Sequence, residues 1–255
     1  MFPDCIYVNF WKALVMNVVN LSGPGAKILF ERGKWFEILE NFWLSFMTIA
    51  ETKEERLKEF QDFIDLLKKY LPFFRARIGL KVNITCPNTA HNLKEIEDEV
   101  MHFLEIAARL GIPIGIKVNI FTSTKTVKRI FNAGLCDAVF VSNTIRWGEI
   151  SERINWEKLF GRKVSPLKKY GDNAGAMSGW PALPLVKEWV SEARGIGIDG
   201  IIIGGNGISR KEHIDLLFPL VDGFSIGSAG MVRPHRLQGL INYADQKITE
   251  RNGRN

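Results

Sequence analysis

The sequence predicts an α/β fold of parallel strands joined by helices. Three observations lead there. Short apolar, β-branched runs alternate with helical patterns from about residue 42 to the C-terminal region. Polar side chains gather just beyond the C-terminal ends of those runs, where such sheets carry their chemistry. A hydrophobic content of 46% over 255 residues is enough for a sizeable core.

The elements follow in order. Ile6 to Phe10 and Ala13 to Met16 read as a small hairpin, and a turn-rich loop, residues 17–25, leads to a short helix from Ala26 to Arg32. A strand from Phe42 to Ile49 then precedes a helix from Lys53 to Tyr70, in which Leu57, Phe60, Phe63, Ile64 and Leu67 mark an apolar stripe. Strand Gly79 to Thr85 leads to helix Leu93 to Leu110, and strand Pro113 to Val118 to helix Thr126 to Ala133. After strand Asp137 to Val141 comes a connection, Ser142 to Ser178, with no clear periodicity; a loop that long in a regular array is more often functional than filler. Helix Pro181 to Arg194, strand Gly200 to Ile203, helix Arg210 to Leu217, strand Gly223 to Ile226 and helix Pro234 to Glu250 complete the chain. Six such units do not close an eight-stranded barrel. Either two leading strands are absent, or the sheet is open and doubly wound.

The formal charge of +6 is spread along the chain and reads as solvated helix faces, so no nucleic-acid partner is expected. Three scattered cysteines exclude a disulfide framework or a zinc site and point to a reducing compartment, with the cytoplasm as the default. The run from Phe42 to Ala50 falls short of the roughly 20 residues that span a bilayer. No membrane association or leader segment is expected.

The strand ends carry the candidate chemistry. They read Asn83, Cys86 and Asn88; Lys117 and Asn119; Ser142, Asn143 and Thr144; Gly204, Gly205, Asn206 and Gly207; and Gly227, Ser228 and Ala229. Side-chain amides offer donors and acceptors to a flat polar ligand, and the final two turns precede helices whose free N–H groups suit a phosphate. Taken singly, each has a plainer reading: Cys86 as an incidental thiol in a proline turn, the asparagines as turn formers, and Lys117 as a lysine reaching out from a strand end.

Together these residues resemble the dihydroorotate dehydrogenase family. Asn83-Ile-Thr-Cys-Pro-Asn-Thr89 is similar to the family's Asn-x-Ser-Cys/Ser-Pro-Asn motif, and Asn17-Val-Val-Asn-Leu21 to its Asn-x-x-Gly-Leu loop, with Asn20 in place of glycine. Lys117 matches the flavin-edge lysine and Val141-Ser-Asn-Thr144 the orotate-binding segment. Gly175-Ala-Met-Ser-Gly179 resembles the flavin loop, with Ala176 replacing its second glycine. The resemblance implies a (β/α)8 TIM barrel of the FMN-dependent type, with residues 1–255 as a single domain incomplete at its N-terminus, where the family carries further strands.

The resemblance also implies oxidation of dihydroorotate to orotate in pyrimidine biosynthesis. Cys86 is the expected base, as in the family's soluble class, and FMN the hydride acceptor. Lys117 is expected to stabilise charge on the reduced flavin. Asn17, Asn83, Asn88, Asn143 and Thr144 are expected to bind the substrate. Lys117, Gly175, Ser178, Gly179, Gly204, Gly205, Gly207, Gly227 and Ser228 are expected to hold the cofactor. Homodimers are common in the soluble class, and some relatives use an electron-transfer subunit, so the resemblance admits both as partners. Two other readings stand beside this one: a tRNA-dihydrouridine synthase-like flavoenzyme, whose barrel also uses an Asn-x-x-Cys-Pro cysteine, and a truncated, non-catalytic barrel remnant.

Overall fold

The computed structural model describes residues 3–19, 23–84, 93–171 and 174–253. Its largest feature is a six-stranded parallel sheet: β3 (Phe42–Phe46), β4 (Ile78–Asn83), β5 (Ile114–Val118), β6 (Ala138–Val141), β9 (Ile201–Gly205) and β10 (Gly223–Ser225). Neighbours in the sheet follow the chain without reversal, and every pair is parallel. The expected TIM barrel is corrected by this topology. Six strands end in two edges, β3 and β10, and among the described residues these do not pair to close a barrel. The unreversed order also removes the doubly wound alternative, which needs a switch point.

The strand alternation decides what each face does. Leu44 of β3, Leu80 and Val82 of β4, Ile114 and Ile116 of β5, Val139 and Val141 of β6 and Ile202 of β9 enter the main core. They pack there beneath helices α2 (Lys53–Tyr70), α3 (Leu93–Ala107), α4 (Thr124–Asn132), α6 (Leu183–Gly195) and α7 (Lys211–Leu217), with α9 (Pro234–Asn252) beside α7. Residues of the other parity, among them Trp43, Lys81, Asn83, Lys117 and Phe140, share the opposite face. Trp43 and Phe140 meet there, ring centroids 5.1 Å apart, over glycines: a Cβ on Gly79 would lie 2.6 Å from Trp43, and one on Gly115 2.7 Å from Phe140.

Helix α2 shows why the local reading succeeds. Thr52 and Glu55 form a capping box, Glu54 and Glu55 occupy the first turn, and Lys68 and Lys69 the last. Phe60, Phe63, Ile64 and Leu67 are buried at helical spacing, as expected. Arg56 is buried on the same stripe, with 3% of its surface exposed, against Glu99 of α3 at 1%. Its Nε donates to Glu99 Oε2 at 2.9 Å, its Nη2 donates to Oε1, and its Nη1 donates to the Glu51 carbonyl.

A second, antiparallel sheet has the order β1-β2-β8-β7, from β1 (Ile6–Asn9), β2 (Leu14–Asn17), β7 (Ile145–Arg146) and β8 (Ala176–Gly179). The predicted hairpin is present as β1 and β2. Strand β2 is covered on both faces: Leu14 and Met16 join a core with Trp147, Trp156, Phe160 and Met177, while Ala13 and Val15 pack with Val232. The long connection from Ser142 to Ser178 is therefore not plain loop. It supplies β7, β8 and the short helix α5 (Trp156–Phe160), and its aromatic residues build the second core. Their spacing is irregular because the segment folds through turns, so no single period marks them. Among the described residues, two further short helices are α1 (Ala26–Glu31) and α8 (Ser228–Val232); α1 was expected and α8 was not.

Replacing Glu99 by Ala strands the Arg56 charge in the core. The expected loss is about 3–5 kcal/mol, read as a lower urea midpoint at unchanged slope. The double replacement Arg56→Met, Glu99→Leu recovers most of it.

Candidate functional site

The strand ends converge on Asn83. Parallel register sets Asn83 of β4 beside Lys117 of β5, and Lys117 beside Phe140 of β6. The backbone N–H of Ile84 donates to the Lys117 carbonyl at 3.2 Å, and that of Asn143 to the Val118 carbonyl at 2.9 Å. These bonds bring Asn143, 60 residues further on, within reach: its Nδ2 donates to Asn83 Oδ1 at 3.1 Å, and its Oδ1 accepts from Thr144 N at 3.0 Å. Asn143 is buried. Of the expected substrate-binding set, Asn83, Asn143 and Thr144 thus form one group, with Lys117 alongside.

Asn206 extends the group. Its Nδ2 donates to the Asn143 carbonyl at 2.9 Å, and its Oδ1 accepts from Gly179 N at 3.1 Å, so one side chain ties the parallel sheet to β8 of the antiparallel one. It holds φ at 67°, a left-handed conformation that asparagine tolerates better than most residues. Sequence reasoning places Asn206 among the strand-end residues but passes over its role as a cross-link. Lys81 is the second residue it passes over. Two positions before Asn83, it lies on the same face as Lys117, half-buried, with Nζ 5.0 Å from the centroid of the Phe140 ring. Desolvation holds its pKa below the ordinary lysine value. The period of two linking Lys81 to Asn83 was the available signal.

The other expected residues are distributed differently. Asn17 ends β2, opposite Ala176, and its Oδ1 accepts from Val19 N at 3.3 Å. Gly175, Ser178 and Gly179 lie in or beside β8. Gly204 and Gly205 end β9, and Gly207 follows in the turn. Backbone packing alone demands two of these glycines: a Cβ on Gly205 would lie 2.5 Å from the Ser225 carbonyl oxygen, and one on Gly207, at φ +113°, 2.6 Å from that of Gly179. Gly227 and Ser228 open α8, and among the described residues no hydrogen bond joins them to the Asn83–Asn143 group. Cys86 and Asn88 lie outside the described residues, as does Asn20. Asn119, also at a strand end, closes its own turn, Oδ1 accepting from Phe121 N at 2.9 Å.

Cys136 is not a candidate base. Burial pushes its thiol up to about 12, and its Sγ donates to the Ala138 carbonyl at 3.2 Å. Among the described residues no group of His, Cys, Asp and Glu side chains could hold a metal ion, and no helix is long and apolar enough to cross a membrane.

No protein-family model matches the chain, and no curated protein matches it. Among solved structures, 2-naphthoyl-CoA reductase in complex with 2-naphthoyl-CoA is similar over 76% of this chain and 30% of that one, at 11% sequence identity and a TM-score of 0.47. This chain thus spans less than a third of that structure. A likeness of this grade carries neither site nor activity across.

Two outcomes are expected from these contacts. Asn206→Ala removes both side-chain bonds and leaves alanine in the left-handed region, costing about 2–4 kcal/mol in chemical denaturation, whereas Asn206→Gly loses the bonds without the strain and costs less. In native protein at pH 8, a thiol-alkylating reagent followed by peptide mass mapping labels the half-exposed Cys5 and leaves Cys136 unmodified until the chain unfolds.

Proposed function

We propose that the chain is a flavin-dependent oxidoreductase that oxidises dihydroorotate to orotate. The observation that carries this reading is the hydrogen bond from the Asn143 amide to the Asn83 amide, with Lys117 in register beside it. A half-buried ammonium and amides held by their own hydrogen bonds are a donor set that fits the polar edge of FMN and of a pyrimidine carboxylate. Lys117 would hold the flavin edge, and its charge favours the electron-rich form. Bound FMN supplies a hydride acceptor for C6 of the substrate.

The remaining steps belong to the chain. Asn83, Asn143 and Thr144 orient the ring through its carbonyl and N–H groups, which a site of fixed amides discriminates well. Cys86, three residues beyond Asn83, takes the proton from C5 as general base. A free thiol titrates near 8.5, so the loop has to favour the thiolate for this to proceed at neutral pH. The electron acceptor that re-oxidises the flavin is set by none of these residues.

Three measurements on the purified chain test the reading. FMN at about 100 times its Kd raises stability by about 2.7 kcal/mol, seen as a higher melting temperature. Dihydroorotate bleaches the flavin absorbance. Cys86→Ala keeps the FMN-induced stabilisation and loses the bleaching. A chain whose melting temperature does not respond to FMN refutes the proposal.

A further inference from the structure

Away from the Asn83–Asn143 group, the chain gathers positive charge around a groove. One cavity of about 420 Å³ is lined by Trp11, Lys12, Trp180, Arg210, His213 and Arg233 among others. A second, of about 600 Å³, is lined by Arg210, Lys211, Glu212, Arg233 and Arg236. Ser209, Arg210 and Arg233 line both, so the two adjoin. Four separate parts of the fold meet here: the tip of the β1–β2 hairpin, the segment leading from β8 into α6, the segment leading from β9 into α7, and the junction of α8 and α9.

The charges are not equally available. Lys12 Nζ donates to the carbonyls of Lys158 and Leu159 at 2.7 and 2.8 Å, at the end of α5. Lys211 Nζ lies 4.9 Å from the centroid of Tyr243. His213 is half-buried, desolvation holds its pKa below the ordinary value, and Nδ1 lies 3.0 Å from the Gly207 carbonyl oxygen. Arg210, Arg233 and Arg236 remain, and among the described residues none of them forms an ion pair. Glu212 is the single carboxylate on the lining. Burial, and after it the neighbouring charges of Arg236 and Arg210, hold the Arg233 pKa below the usual arginine range.

The aromatic residues are as distinctive as the cations. Trp11 is 96% exposed at the hairpin tip and Trp180 is 45% exposed. An indole left that open forgoes a large burial gain, and two beside a cationic groove form a stacking surface for a flat ring. Guanidiniums bind phosphate oxygens in bidentate geometry.

We propose that this groove binds a nucleotide, its phosphates against Arg210, Arg233 and Arg236 and its base against Trp11 and Trp180. The site is separate from the amide group at Asn83 and does not depend on the flavin reading.

Titration calorimetry of the full chain with ADP, inorganic phosphate, adenosine and FMN tests it. ADP binds saturably, inorganic phosphate binds more weakly and competes with it, and adenosine binds weakest. Arg233→Ala and Arg210→Ala each raise the ADP Kd about tenfold or more, as expected for loss of a charge-assisted phosphate contact. Trp11→Ala, at a side chain with almost no packing to lose, raises the Kd for ADP but leaves that for phosphate unchanged. Protein saturated with FMN still binds ADP with the same Kd. Absence of ADP binding overturns the proposal, as does binding that survives both arginine replacements. So does competition by FMN, which makes the groove a flavin phosphate pocket. Tight, salt-sensitive binding of a single-stranded oligonucleotide without ADP binding overturns it in favour of a nucleic-acid surface.

Discussion

Because side chains on a strand alternate between two faces, the register that sets Asn83 beside Lys117 and Lys117 beside Phe140 also commits Val82, Ile116 and Val139 to the helices. Slipping any of these pairs by one residue would turn the core outward and carry the polar row into it. The main core and the candidate site are thus two faces of one hydrogen-bonded arrangement. Burial beneath α2, α3, α4, α6 and α7 supplies the free energy that holds the polar groups in line.

The second layer depends on that row in a different way. Asn143 leaves β6 and enters a segment that does not continue the parallel rhythm, but instead contributes β7 and β8 to the antiparallel sheet. What keeps this sheet in place is partly apolar, through Leu14, Met16, Trp147 and Met177, and partly the Asn206 side chain spanning from the Asn143 carbonyl to Gly179. Buried polar cross-links of this kind specify geometry, because each group left unpaired would cost more than the bond itself contributes. The same turn begins at Gly205 and continues through Gly207 toward Arg210, so the candidate site and the basic groove share one loop.

Charge follows the fold here. Over the whole sequence the basic residues look evenly scattered. Arg210 and Arg233 are 23 residues apart in sequence and Trp11 lies far from both, yet all three line one cavity. Counting charges along a chain cannot reveal that, because proximity is created by the sheet order that places β9 next to β10.

The sequence by itself determined the parallel α/β character, the extent of α2, the hairpin of β1 and β2, and the candidate strand-end residues Asn83, Lys117 and Asn143. Each of these is written in local signals: period two, period 3.6, caps and turn formers. Tertiary structure decided the rest. Whether the parallel strands close is a question about edges, and no local pattern encodes which edges meet; the strand order answered it with an open sheet in place of a barrel. The Arg56–Glu99 pair, the Asn206 cross-link and the Arg210–Arg233 groove join positions 20 or more residues apart, and such pairings exist only once packing has brought them together.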